Sequence, residues 1–172
     1  MTISHHPGED LLLDYVSGSL AETWSIAVAA HLALCPICRR TVSELEAVGG
    51  ELVSAVAPVP VEDDLYDSIV AATNAAHEDS VSSRPVTNSS GSNPILPEPL
   101  RSYLGGDVDS LEWRRLGLGA HQLPIPTGDE LTTARLLRIP AGRPVPTHSH
   151  GGLELTLVLS GAFSDSTGTY GR

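Results

Sequence analysis

Apolar residues recur at helical spacing through roughly the first 80 positions and alternate in strand fashion from about position 110, with a stretch between that does neither. Residues 8–18 open on Gly8-Glu9-Asp10, acids that suit a helix N-terminus, carry Leu11, Leu12, Tyr15 and Val16 on one face, and stop at Gly18. Ser19 is placed to cap a second helix, with Glu22 completing a capping box. That helix is expected to run to about Cys35. It shows Trp24, Val28 and His31 on one side and Leu20, Ile26 and Leu34 on others. A small bundle covers one stripe of a helix, so an apolar surface wider than that points to a partner.

A third helix opens at Pro36, carries Val42, Leu45 and Val48, and meets Gly49-Gly50. The pattern resumes through Leu52, Val53 and Val56 until Pro58 and Pro60 stop it. Glu62-Asp63-Asp64 then start a fourth helix with Leu65, Ile69, Val70 and Ala72 on its apolar side. The prolines before it predict a helix that is tethered rather than packed.

Residues 79–99 are rich in Ser, Asn and Pro with little to bury, which is the composition of a linker. Beyond it, Leu111–Trp113 and Leu131–Ile139 read as strands, and another is expected from Glu154, with Leu153, Leu155, Leu157 and Leu159 on one face. The predicted fold class is therefore α + β in two domains. A helical domain spans 1–78, a linker 79–99 and a β domain 100–172.

Chemistry concentrates at two places. In His31-Leu-Ala-Leu-Cys35-Pro-Ile-Cys38, His31 and Cys35 are one turn apart on a helix. Pro36 ends that helix and suits the first turn of the next, which folds Cys38 back toward Cys35. One imidazole and two thiols make three quarters of a tetrahedral zinc site, and His5 or His6 can supply the fourth ligand. A redox pair is the competing reading, but a Cys-x-x-Cys of that kind opens a helix directly after a strand, and here a helix precedes it. Inert packing of two buried cysteines is the other alternative.

The second place is Gly142-x5-His148-x-His150-x3-Glu154-x6-Gly161. His148 and His150, two apart, face the same way in an extended strand. Together with Glu154 they form a donor set suited to Zn²⁺, Fe²⁺, Mn²⁺ or Ni²⁺, so a second divalent metal is a possibility, against a pocket that holds none.

Charge sharpens the picture. The net charge is −11, and residues 1–80 hold thirteen carboxylates against Arg39 and Arg40 alone, while residues 81–172 hold eight charges of each sign. An acidic first half repels phosphate and attracts basic proteins, which argues against direct nucleic-acid binding and for a basic protein partner. Both cysteines lie in the metal motif, none is left for a disulfide, and no stretch is long and apolar enough to span a bilayer, so a cytoplasmic protein without a membrane anchor is expected.

The opening MTISHHPGEDLLLDYVSGSLAETWSIAVAAHLALCPICRRTVSELEAVGG, with its His pair and His-x-x-x-Cys-x-x-Cys, resembles the zinc-binding anti-sigma family. It is similar in particular to the ChrR branch, which joins that domain to a cupin, and the Gly142–Gly161 pattern resembles the first cupin motif. The resemblance implies His6, His31, Cys35 and Cys38 as zinc ligands. It also implies a possible cupin metal on His148, His150 and Glu154, and an extracytoplasmic-function (ECF) type sigma factor as partner. By the same resemblance the helical domain inhibits the sigma factor, and the cupin serves the response to an oxidative signal such as singlet oxygen. A full cupin carries a second motif and closing strands, and the sequence stops at Tyr170-Gly171-Arg172, so an incomplete barrel is expected. No catalytic residues follow from this reading. The alternative is a dioxygenase-like cupin metalloenzyme with an N-terminal regulatory domain.

Overall fold

The computed structural model describes residues 3–81, 94–143, 151–165 and 167–172. They form helices α1 (Glu9–Val16), α2 (Glu22–Leu34), α3 (Pro36–Ser54), α4 (Leu65–Val81) and α5 (Glu98–Leu104), followed by strands β1 (Arg114–Gly117), β2 (Ala120–Ile125), β3 (Ala134–Arg138), β4 (Ala162–Ser164) and β5 (Thr169–Gly171). Two antiparallel sheets result, one in the order β1-β2-β3 and the other the β4-β5 hairpin. The chain is thus mixed helix and sheet, and among the described residues the strands do not close into a barrel. By internal contacts it divides into two compact units, Met1–Gly50 with Pro94–Arg172, and Glu51–Asn93.

The first unit is built around α2. Helix α1 ends in a left-handed Gly18 (φ 73°), where the N–H groups of Gly18 and Ser19 turn back onto the carbonyls of Tyr15 and Asp14 and satisfy the helix end. The expected capping box is not made. Ser19 Oγ is engaged by Asp14 and Ser17, and α2 starts at Glu22 with no side-chain cap. The reason is local competition, since the turn that closes α1 takes the hydroxyl that would have capped α2.

One side of α2 joins a core of Leu12, Val28, Leu32, Cys35, Cys38 and Val42, with Ile3, Tyr15 and Leu45 packed against it. The opposite side joins a second core, in which Ala30 and Ile26 meet Leu96, Leu100, Ile125 and Leu136. The surplus apolar face of this helix is therefore filled by the C-terminal part of its own chain, contrary to the expectation that a partner covers it. A helix apolar all round is buried all round, and the covering residues are too distant in sequence to be foreseen from local pattern.

The covering segment begins earlier than composition suggests. Leu96 is 2 % exposed, and the N–H groups of Ile95 and Leu96 donate to the Asp107 carboxylate (3.0 and 2.9 Å), so residues 95–97 are docked and lead directly into α5. Strand β1 starts after Trp113, whose indole N–H donates to the Val108 carbonyl, so Leu111–Trp113 is not the strand expected there. Strand β3 occupies the middle of the expected 131–139 run. Strand β2 was not foreseen, because Pro124 and Pro126 argue against a central strand. The β1–β2 turn runs through Gly117, Leu118 and Gly119, all at positive φ, and Leu118 at φ 50° is the non-glycine residue held there. The strand expected from Glu154 is not among the strands of the described residues, although Leu157 and Leu159 reach the second core.

Helix α3 passes through Gly49-Gly50 without a break and ends at Ser54. Its first half is anchored by Cys38, Val42 and Leu45, which offsets the roughly 1 kcal/mol that each interior glycine costs relative to alanine. The second unit contains the end of α3 and the helix α4, and every described side chain from Glu51 to Ala75 is exposed, Leu65, Tyr66, Ile69 and Val70 included.

Candidate metal centre

The site sits where α2 ends and α3 begins. His31 lies in the last turn of α2, and Cys35 leaves the helix in an extended conformation (φ −106°, ψ 107°). Pro36, which has no N–H to lose, opens α3 at 116° to α2 and carries Cys38 into its first turn. The bend is braced by Arg39, whose guanidinium donates to the carbonyls of Leu32 (2.7 Å) and Ala33 (3.3 Å). It thereby satisfies carbonyls of the last turn of α2 and places a cation at the negative end of that helix. Arg39 belongs to the site's support, and its place six or seven residues after the acceptors gives no sequence pattern by which to find it.

The extended N-terminal segment supplies the fourth donor. His6 Nδ1 lies 3.4 Å from Cys35 Sγ and 3.3 Å from Cys38 Sγ, and His31 Nε2 lies 3.3 Å from Cys38 Sγ. All four donor atoms fall within 4.8 Å of one another, with His31, Cys35 and Cys38 buried and His6 exposed. Metal–sulfur and metal–nitrogen bonds of zinc-site length set sulfur–nitrogen edges of about 3.5 Å in a tetrahedron, so these donors are spaced to close on one ion. The neighbouring His5 is turned away, its ring edge against Tyr170 at 4.9 Å and its Nδ1 beside Ser4 Oγ.

Electrostatics around the donors favour a dication. Burial, followed by the charge of His6, holds the His31 imidazole below its ordinary range, so it is neutral and available for ligation at neutral pH. Burial, then the hydrogen bond and charge of Cys35, push the Cys38 thiol up to about 11. A metal must therefore displace protons here, and it supplies the positive charge that two adjacent thiolates need. The Cys38 backbone N–H, 3.5 Å from Cys35 Sγ, adds one fixed dipole to the same end.

The other candidate residues are placed differently. Glu154 is exposed, and His148 and His150 lie outside the described residues.

The chain thus carries a short helical corner whose His2Cys2 donor set could hold one metal ion, on the same compact unit as a small β domain. Residues 103–172 match the family model described as ChrR cupin-like domain. Anti-sigma-E factor ChrR of Cereibacter sphaeroides is 44 % identical over 171 residues, which is 99 % of this chain and 77 % of that protein. The crystal structure of Rhodobacter sphaeroides SigE in complex with the anti-sigma ChrR contains a chain 42 % identical to this one. The TM-score is 0.80, over 99 % of this chain and 83 % of that one. The chain belongs to the ChrR family of anti-sigma factors.

Proposed function

We propose that this protein is an anti-sigma factor that binds an ECF-type sigma factor and holds it inactive, acting by occupancy and without catalytic turnover. The observation that carries the reading is the likeness, over 99 % of the chain, to the ChrR of the SigE complex. Two properties of this chain support it. The net charge of −11 lies within residues 1–80, which suits a basic, DNA-binding partner. The residues beyond Gly50 leave Leu52, Val53, Val56, Leu65, Tyr66 and Ile69 exposed, and exposed apolar groups of that size mark interaction surfaces.

The finer reading assigns Zn²⁺ to His6, His31, Cys35 and Cys38, because a donor set of two thiolates and two imidazoles at tetrahedral spacing is that of a closed structural zinc site. It places the protein in the cytoplasm with its partner. It gives inhibition to residues 1–78 and the response to an oxidative signal to the cupin-like residues 100–172, and assigns His148, His150 and Glu154 as ligands of a second metal.

Co-expression with a cognate ECF-type sigma factor tests the proposal. Co-purification of the two, with loss of sigma-dependent transcription in vitro, is the expected result. A sigma factor that stays fully active in the presence of the metal-loaded chain would sink it. Association should slow as salt rises, since steering between an acidic and a basic surface is screened.

A further inference from the structure

The two sides of α2 do different work. Val28, His31, Leu32 and Cys35 face the first core and the metal corner. Thr23, Ile26 and Ala30, spaced three and four apart, form a stripe on the opposite face. Ile26 and Ala30 enter the second core, and Thr23 Oγ1 lies 3.0 Å from Thr127 Oγ1 in the loop after β2. The stripe ends at Glu22, the first residue of the helix, whose carboxylate is used at both oxygens. Oε1 accepts from the Tyr103 hydroxyl of α5 (2.9 Å), and Oε2 accepts from the Gly128 N–H (2.6 Å). Tyr103 Oη is also 2.7 Å from the Pro126 carbonyl, so the carboxylate, the tyrosine and the 126–128 loop form one connected group.

We infer that this group is a latch by which the C-terminal half braces the metal-bearing helix, with Glu22 as the positioning residue. Ala30, fully buried in the second core, immediately precedes the ligand His31. The same 13-residue helix therefore transmits any loosening at its first turn to the corner at its last. A helix held on one side by α1 and α3 and on the other by residues 94–136 has its position set only while both sides are in place. The latch gives the C-terminal half a route to the metal corner that requires no contact between that half and the ligands' own atoms. Buried apolar contacts hold the interface in register, while the charge-assisted hydrogen bonds at its rim decide whether the first turn stays seated.

The inference rests on the metal reading above only for its second readout. The test uses the full chain loaded with Zn²⁺ and follows amide hydrogen exchange in α2 together with the rate of zinc loss to a chelator. Three variants act on the latch by different means. Glu22→Gln leaves one acceptor where there were two. Tyr103→Phe removes the hydroxyl and keeps the ring. Gly128→Ala places a Cβ 3.3 Å from Glu22 Oε2 and crowds the carboxylate from the loop side.

Each variant should raise exchange across α2, including His31–Leu34, by about three- to tenfold and speed zinc loss in proportion, the scale expected for losing one solvent-exposed hydrogen bond. Exchange in α4, which belongs to the other unit, should be unchanged. The Glu22→Gln/Tyr103→Phe double variant should be no worse than the stronger single one, because both open the same latch. Wild-type exchange in α2 for all three variants overturns the inference. A uniform rise over α1 to α4 overturns it too, because that is general destabilisation. Should the wild type hold no zinc, the metal assignment fails and α2 exchange alone decides the latch.

Discussion

Helices α2 and α4 are both rich in apolar residues, and they meet opposite fates. Every residue of α2 except Glu22 and Ala33 is buried or half-buried, and the helix is flanked by two cores. In α4, all described side chains are exposed, Tyr66 at 75 % and Ile69 at 55 %. The difference is one of supply. The first core and the segment 94–136 provide two surfaces for α2, whereas the described residues of the second unit bring no core to α4. An apolar helix whose chain covers both faces is part of the scaffold. One left exposed by its own chain is available for a partner, and the two are not distinguished by composition.

The largest expected effect comes from removing what holds the end of α2 to α3. Cys35→Ala/Cys38→Ala deletes two of the four donors, and a structural zinc site of this kind contributes on the order of 10 kcal/mol to folding. A core of Leu12, Val28, Leu32 and Val42 is too small to replace that. The double variant should lose the zinc equivalent, most of the helical signal of the first three helices, and sigma-factor binding. Elemental analysis beside far-UV circular dichroism checks this. Retention of a full metal equivalent by the double variant would move the tight site away from this corner. His6→Ala should be harmful as well and His5→Ala mild, since only the former ring nitrogen is 3.3–3.4 Å from both sulfurs.

The corner is the part of the molecule most legible in the sequence. A histidine one turn before a cysteine, a proline that must begin a helix, and a second cysteine in its first turn determine local geometry almost unaided. The choice between His5 and His6 is less so, since a segment with no periodicity does not say which side chain faces inward. Residues alone left both open, and the resemblance to the family implied His6. The second cover of α2 was illegible, because it is assembled from Leu96, Leu100, Ile125 and Leu136, far along the chain. Two of these were disguised, Leu96 by a Pro- and Ser-rich context and Ile125 by prolines on either side. The Ser19–Glu22 capping box fails at both ends, because the turn that closes α1 takes the Ser19 hydroxyl and because Tyr103 and Gly128 take the Glu22 carboxylate, a tertiary demand that no local motif reveals.

A pair of identical substitutions sharpens the comparison at intermediate scale. Ala30 is fully buried between α2 and the second core, and Ala72 is exposed on α4. Ala30→Leu adds three carbons where there is no room and should destabilise the chain by about 1–3 kcal/mol. Ala72→Leu should change stability by less than about 0.5 kcal/mol, in line with exposed sites. Chemical denaturation of both variants decides, and equal effects would mean that α2 is not covered on its second side.

A smaller effect follows from Asp107, which orders the segment that covers α2. Burial by itself would raise its pKa. The N–H groups of Leu96, Val108 and Ile95 and the charge of Arg101 outweigh burial, so the carboxyl is held below its ordinary 3.8. A carboxylate with a lowered folded-state pKa stabilises above the unfolded value, and that contribution is lost as pH falls through the folded value. The docking of residues 95–100 on α2 should therefore be constant from neutral pH to about pH 5 and weaken only below the usual carboxylate range. Trp113 fluorescence followed through acid titration checks it, and Asp107→Asn should flatten the part of the transition that this group contributes.

The smallest effect expected on the chain by itself is at α4. Tyr66→Ala or Ile69→Ala removes side chains that contribute little burial to the folded state, so denaturation midpoints should stay within the scatter of ordinary surface substitutions. The same variants should weaken sigma-factor binding, by about tenfold for the aromatic if it is an anchor of the interface, because truncating one such residue costs more than about 1 kcal/mol of binding. Unchanged stability with reduced affinity is the signature of a face reserved for a partner. Loss of stability without loss of affinity would place α4 in the scaffold beside α2. Binding titrations and denaturation on the same preparations separate the two, because a helix that does no work in the free chain can reveal its role only in the complex.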